Sequence, residues 1–330
     1  RLLDQRCQLA ERLPGDFERE RLQNEMWEIR LDRELDDIRA TIDRLGALAA
    51  EATRHGWTSD AVLCRCHMAS LLDAMEDSQA CLDVLDDALA DASEPENLAR
   101  VYLQRSFYLG DLDRPEEGLE SAERAKRLYR NAGNRPYESR SEVMCCLMLA
   151  QTGAPNEARS GLQRVLEVQK RLGNRRTVSR VRNALGNLES DAENYSTAHE
   201  HYAKQYQLSR DAGDHYNARI ASYNIGFAAL MMREYAQARD RFTNLQPQLD
   251  DTGEVHLASV TRLGLACAEA GLENWEASRQ SLSAQLDFSD SPKFAFKEAR
   301  KIVELAVELC KAGGQTKLAA KFEETLGKNG

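Results

Sequence analysis

Positive charge, aromatic side chains and long apolar runs are all in short supply in this sequence. Asp and Glu outnumber Lys and Arg by 54 to 44, for a formal net charge of -10. A general nucleic-acid binder shows the opposite balance, so no nucleic-acid partner is expected. No run of 18 apolar residues occurs, so no segment reads as a membrane-spanning helix and no membrane partner is expected. Aromatic residues make up 6% of the 330, with only 7 prolines and 19 glycines. The β-branched, turn-rich texture of a β sandwich is therefore missing, and a helical chain is expected. There is no secretory hydrophobic region. The sequence begins at Arg1 without Met, which leads us to expect a segment trimmed from its front.

Motifs that carry chemistry are absent too. There is no HExxH, no phosphate-cradling GxxxxGK[ST], no GxGxxG after a strand and no GxSxG. Cys64, Cys66 and His67 look like a metal cluster in the linear sequence. Residues two apart on a helix point to different faces, so the three do not converge on one ion. His199 and His201 diverge for the same reason. The expectation is no catalytic residue, no metal and no cofactor. The eight cysteines (Cys7, Cys64, Cys66, Cys81, Cys145, Cys146, Cys267 and Cys310) lie in apolar helical stretches and lack the spacing of a disulfide framework. Buried thiols in a reducing cytoplasm are the simpler reading.

What the chain does have is a period. With hydrophobic residues at 42% and charged ones at 30%, it can bury a core. Steps of 40 from Ser106 reach Cys146, Gly186, Gly226, Ala266 and Ala306, all small. Steps of 40 from Gly118 reach Ala158, Ala198, Ala238, Ser278 and then Leu318, the one exception. Ala69 and Cys81 form one more copy upstream, after a 37-residue step. Around the second column stand Pro115, Pro155, Tyr195, Tyr235 and Trp275 three residues before, and Leu162, Tyr202, Phe242, Leu282 and Phe322 four residues after. Spacings of three and four place these on one helix face. Gly133, Gly173, Gly213 and Gly253 form a third column, suited to closing a helix in the left-handed conformation. Short breaks at 111–114, 152–155, 191–194, 231–234 and 271–274 divide each unit into helix A and helix B. No single helical hairpin buries its apolar face alone, so neighbours must stack.

These units resemble tetratricopeptide repeats, in the 40-residue, Leu-Gly-Asn variety. The resemblance rests on ALGN at 184–187 followed by YSTAHEHY at 195–202, and on YNIG at 223–226 followed by YAQARDRF at 235–242. It covers about residues 60–328. It implies an all-α, right-handed α-solenoid superhelix of about seven or eight antiparallel hairpins. Residues 1–56 read as N-terminal capping helices or a degenerate repeat, 57–292 as regular repeats and 293–330 as a C-terminal capping hairpin. Within the first of these, 1–13 reads as a short helix ended by Pro14-Gly15. Residues 19–56 read either as a hairpin turning near 32–36 or as one long helix. Pro247 is expected to kink or end its helix, and Ser291-Pro292 to break the spacing before the last hairpin.

The resemblance also implies a concave groove lined by helix A. Six positions before the small residue lie Arg100, Arg140 and Arg180, then Ile220, Val260 and Arg300. Three before it come Leu103, Val143, Asn183, Tyr223 and Leu263, with Asn224 adjacent; just after it come Phe107, Leu147, Asn187, Phe227 and Cys267. The expected site is thus an arginine ladder (Arg100, Arg140, Arg180) beside a patch of Asn183, Asn187, Tyr223, Asn224 and Phe227. Asparagine reads a peptide backbone as both donor and acceptor; arginine reads carboxylate or phosphate. The partner expected is a protein or peptide with acidic segments. Two competing readings stand beside it. The arginines pair locally, with Glu96 and Glu138 the nearest carboxylates, or the aromatic patch is packing between repeats. The clamp version of the fold holds a terminal carboxylate with Lys and Asn, where this chain has Cys66, Leu103 and Val143, so that use is not expected.

The function implied is a non-catalytic binding scaffold. The alternative is a sensor arm of a larger signalling or defence polypeptide, whose effector (a caspase-like protease, cyclase, kinase or NTPase) lies outside this chain. Occupation of the groove by residues 1–56 is a further expectation of self-regulation.

Overall fold

A computed structural model describes residues 18–31, 38–75, 77–250, 254–282 and 293–326. All of its regular elements are helices, and no strand occurs among the described residues. The chain divides into two compact units, Arg1–Ala154 and Pro155–Gly330. The first holds α1 (Glu18–Leu31), α2 (Ile38–Arg54), α3 (Thr58–Ala74), α4 (Ser78–Asp91), α5 (Pro95–Asp111), α6 (Pro115–Asn131) and α7 (Arg135–Gln151). The second holds α8 (Pro155–Arg171), α9 (Arg175–Asp191), α10 (Tyr195–Asp211), α11 (His215–Met231), α12 (Tyr235–Asp250), α13 (Val255–Gly271), α14 (Trp275–Leu282), α15 (Lys293–Ala312) and α16 (Thr316–Glu324).

The forty-residue period has a simple local origin. From α5 to α11 every helix has 17 residues, and each connection is a three-residue link. Proline opens α5, α6 and α8, where its missing N–H has no helical acceptor to lose. Asp77, Asn174 and Asp214 cap α4, α9 and α11 by accepting from the N–H of Ala80, Thr177 and Asn217. The links between hairpins close as the glycine column predicts: Gly133, Gly173 and Gly213 have φ of 71, 67 and 67°. Asn134 N–H then returns to the carbonyl of Tyr129 at 2.9 Å, a Schellman-type closure. Gly253 lies outside the described residues.

The turn inside four of the hairpins uses the same left-handed conformation without needing glycine, whereas the α7–α8 and α15–α16 turns place Gly153 and Gly314 there. Asp113, Glu193, Arg233 and Glu273 have φ of 62, 61, 63 and 59°. Each such residue costs roughly 1 kcal/mol. Asparagine locks several of these links: Asn194 donates to Glu189 at 2.9 Å, Asn274 to Glu269 at 2.8 Å and Asn174 to Gln169 at 3.0 Å.

The small column is required by packing. A Cβ on Gly226 would come within 2.6 Å of the Phe242 ring, and one on Gly264 within 2.7 Å of the same ring. Gly186 takes the ring of Tyr202 in the same way. Thus the bulky residue of helix B sits in a notch left by the small residue of helix A, and Phe242 is fully buried.

The chain start is a hairpin, not one helix. Helices α1 and α2 are tied by Arg21 to Glu51 at 2.8 Å and Arg44 to Glu25 at 3.1 Å. Its turn near 32–36, the helix expected at 1–13 and Ser291-Pro292 lie outside the described residues. One expectation needs correction: α12 does not end at Pro247 but runs on to Asp250. Burial of Leu245 and Leu249 on either side of the proline holds the last turn in place against the lost hydrogen bond.

Candidate functional site

Arg100 lies on α5, Arg140 on α7 and Arg180 on α9, each on the first helix of its repeat. Arg100 and Arg140 belong to the first unit and Arg180 to the second. In the first unit both guanidiniums act electrostatically on Tyr129 of α6. Burial pushes the Tyr129 hydroxyl up from its usual range, while Arg100 and Arg140 each pull it down. The Tyr129 ring stacks on Tyr137 at 5.0 Å between centroids. Arg100 Nε is covered and has no hydrogen-bond partner. The two carboxylates expected to neutralise Arg100 and Arg140 are bonded to other residues. Glu138 accepts from Arg130 at 2.7 Å and Arg135 at 2.9 Å, and these bonds, led by that from Arg130, hold it below the usual carboxylate range. Glu96 accepts from Asn134 at 3.1 Å. Among the described residues neither Arg100 nor Arg140 is in an ion pair.

Two turns from Arg100 on the same helix, Phe107 is 44% exposed, braced edge-on by Tyr108 at 5.3 Å. An exposed aromatic on α5, with an arginine outside any ion pair among the described residues on each of α5 and α7, gives these helices the chemistry to favour an anionic, partly apolar ligand.

The second unit treats the same repeat positions differently. Phe227 is only 2% exposed and Tyr223 1%; both belong to the core shared by α11, α12, α13, α15 and α16. Asn224 is buried and donates to Asn183 at 3.4 Å. Asn187 accepts from the Tyr202 hydroxyl at 3.1 Å, which leaves its own N–H groups for another acceptor. Arg180 is exposed. Packing between repeats therefore explains Tyr223 and Phe227, whose rings stack at 6.3 Å. The sequence pattern marks these positions as groove-facing but carries no sign of what covers them.

The weaker clusters resolve into packing. Cys64 joins the cluster of Leu22, Met26 and Leu45, whereas Cys66 joins that of Cys81, Leu85 and Val101. The two thiols thus face opposite sides of α3, as their spacing requires, and burial pushes both up to about 12. Among the described residues no group of three or more His, Cys, Asp or Glu is placed to hold a metal ion. His201 Nδ1 lies 3.1 Å from Arg182 Nη1; burial, then Arg182, lowers its proton affinity, so it accepts from the guanidinium in its neutral form. No described helix is long and apolar enough to cross a membrane.

No protein-family model matches this sequence. No curated protein matches it at a significant level. Among solved structures the chain is similar to a Rap protein complexed with competence and sporulation factor, with a TM-score of 0.67, 13% identity and coverage of 97% of this chain and 91% of that one. It is also similar to the apo form of the quorum sensor NprR from B. thuringiensis, at a TM-score of 0.63 and 13% identity, covering 96% and 89%. A third likeness is to a signal-transduction ATPase with numerous domains and a tetratricopeptide repeat sensor, from Pyrococcus horikoshii. There the TM-score is 0.60 and the identity 12%, over 96% of this chain and 50% of that one. At such identities the likeness concerns architecture, and with the repeat geometry it establishes that the chain has the tetratricopeptide-type helical-repeat fold.

Proposed function

We propose that this chain is a non-catalytic scaffold that binds a protein or peptide bearing acidic residues on the helix-A face of its first unit. The observation that carries this reading is the pair Arg100 and Arg140, without ion pairs among the described residues, together with the exposed ring of Phe107 on α5. A guanidinium left unneutralised in a partly covered site gains more from a ligand carboxylate than one already paired at the surface. In the second unit, by itself, α9 carries Arg180, Asn183 and Asn187 at the corresponding repeat positions. The proteins of like fold support a binding role: one was solved with competence and sporulation factor, another is a quorum sensor.

The test is selection of peptides from a displayed random library on the full chain. Enriched sequences should be acidic with an apolar residue, and the Arg100→Glu/Arg140→Glu variant should bind them at least about tenfold more weakly with its melting unchanged. Enrichment of basic or uncharged peptides, or equal affinity in the variant, would remove this face from consideration.

A second reading, a sensor arm of a larger polypeptide, draws on the ATPase with a repeat sensor, of which this chain spans half the length. The coding sequence on either side of this chain separates the two: an adjoining effector domain favours the arm, an isolated frame the scaffold.

A further inference from the structure

Helix α15 is the longest described helix, at 20 residues. Ala299, Ile302, Val303, Ala306 and Cys310 bury its apolar stripe in the core of the second unit. Its polar side chains reach much further back along the chain. Lys297 Nζ lies 2.5 Å from Asp191 Oδ1, where α9 ends. Lys301 Nζ donates to the Tyr195 hydroxyl at 3.3 Å and stands 5.6 Å from the centre of that ring. Tyr195 meets Phe227 edge-on at 6.3 Å, and Phe227 stacks on Tyr223. Tyr223 closes the circuit, since its hydroxyl is buried against Glu298, one turn before Lys301. Glu298 as a residue is half-buried, yet its Oε2 is wholly covered, and neither that oxygen nor Tyr223 Oη has a hydrogen-bond partner among the described residues.

We propose that the N-terminal half of α15 is an internal lid on the α10–α11 face of the second unit, held by the Lys301–Tyr195–Phe227–Tyr223–Glu298 circuit and opened by ionisation of the covered carboxyl. A partner reaching Tyr223, Asn224 or Phe227 must displace it. The lid is a property of the chain by itself; its regulatory meaning rests on the reading of helix-A faces as binding surfaces.

The physical reason is the cost of a covered charge. Burial pushes Glu298 up to about 7; Asp191 of α9 adds to this, while the Tyr223 hydroxyl of α11 and Lys301 and Lys297 of α15 oppose it. Tyr202 of α10 faces the same carboxyl and is itself pushed up, by burial first and then by Glu298. The folded-state value is raised above the ordinary 4.5. The closed state therefore holds its full stabilisation below that ordinary value and loses it as pH rises through about 7.

Amide hydrogen exchange on the full chain, corrected for intrinsic rates, reads the lid without any partner. Between about pH 5 and about pH 8 the opening of residues 297–302 and 220–228 should rise by about 10- to 100-fold, with α16 and the first unit unchanged. Glu298→Gln should abolish the response, and Lys297→Ala/Lys301→Ala should open the same segments at both pH values. Wild-type exchange that ignores pH, or a Glu298→Gln variant that keeps the response, overturns the proposal. Should the double lysine variant fail to fold, the wild-type series and Glu298→Gln still decide. Peptide binding at Arg100 and Arg140 is measured separately, so failure there leaves the lid standing, and failure of the lid leaves the first-unit site standing.

Discussion

Phe107 and Phe227 occupy the same position of the forty-residue repeat, three periods apart, yet one is 44% exposed and the other 2%. The residues around them change in step. Arg100 and Arg140 of the first unit become Ile220 and Val260 in the second. An arginine at 260, a position 3% exposed, would be a buried unpaired charge, which folding does not tolerate. The comparison teaches that a repeat fixes where a side chain points, not what it meets. That is decided by whether a later helix, here α15, lies against it.

This contrast can be tested first where the effect is largest. Phe227→Ala should destabilise the second unit by about 3–5 kcal/mol, whereas Phe107→Ala should cost under about 0.5 kcal/mol and weaken peptide capture instead; urea unfolding of both variants measures the difference. Equal losses would mean that the two faces are packed alike. Gly226→Ala comes next. The added methyl meets the Phe242 ring, a cost of about 1–3 kcal/mol only partly offset by the better helix propensity of alanine, about 1 kcal/mol; a lowered melting temperature checks it. Glu193→Gly and Asp113→Gly should each raise stability by up to about 1 kcal/mol, by the same amount in both units, because the hairpin turn is common to them. Unequal gains would show that the backbones differ, and not only their faces. Smallest in stability is Arg100→Glu/Arg140→Glu, within about 0.5 kcal/mol of wild type, since no ion pair is lost.

The sequence displays the scaffold well because packing repeats. Gly186 and Gly226 are small where Tyr202 and Phe242 need space, and Gly133, Gly173 and Gly213 mark links that need positive φ. Local signals served less well where burial outweighed them, as at Pro247, which α12 passes through because Leu245 and Leu249 are anchored. The left-handed turn at Glu193 or Arg233 left no mark, since a charged residue there accepts strain that a glycine would have advertised. The site was legible by position but not by exposure. Arg140 and Phe227 are both predicted to face a groove, and only long-range contacts, such as Lys301 of α15 with Tyr195 of α10, reveal which face is closed.

The most direct measurement is amide exchange of the full chain with and without saturating acidic peptide taken from the display selection. Protection should fall on α5 and α7, around Arg100, Phe107 and Arg140, at neutral pH. Protection confined to α11, with α5 and α7 unchanged, would contradict the assignment of the open face to the first unit.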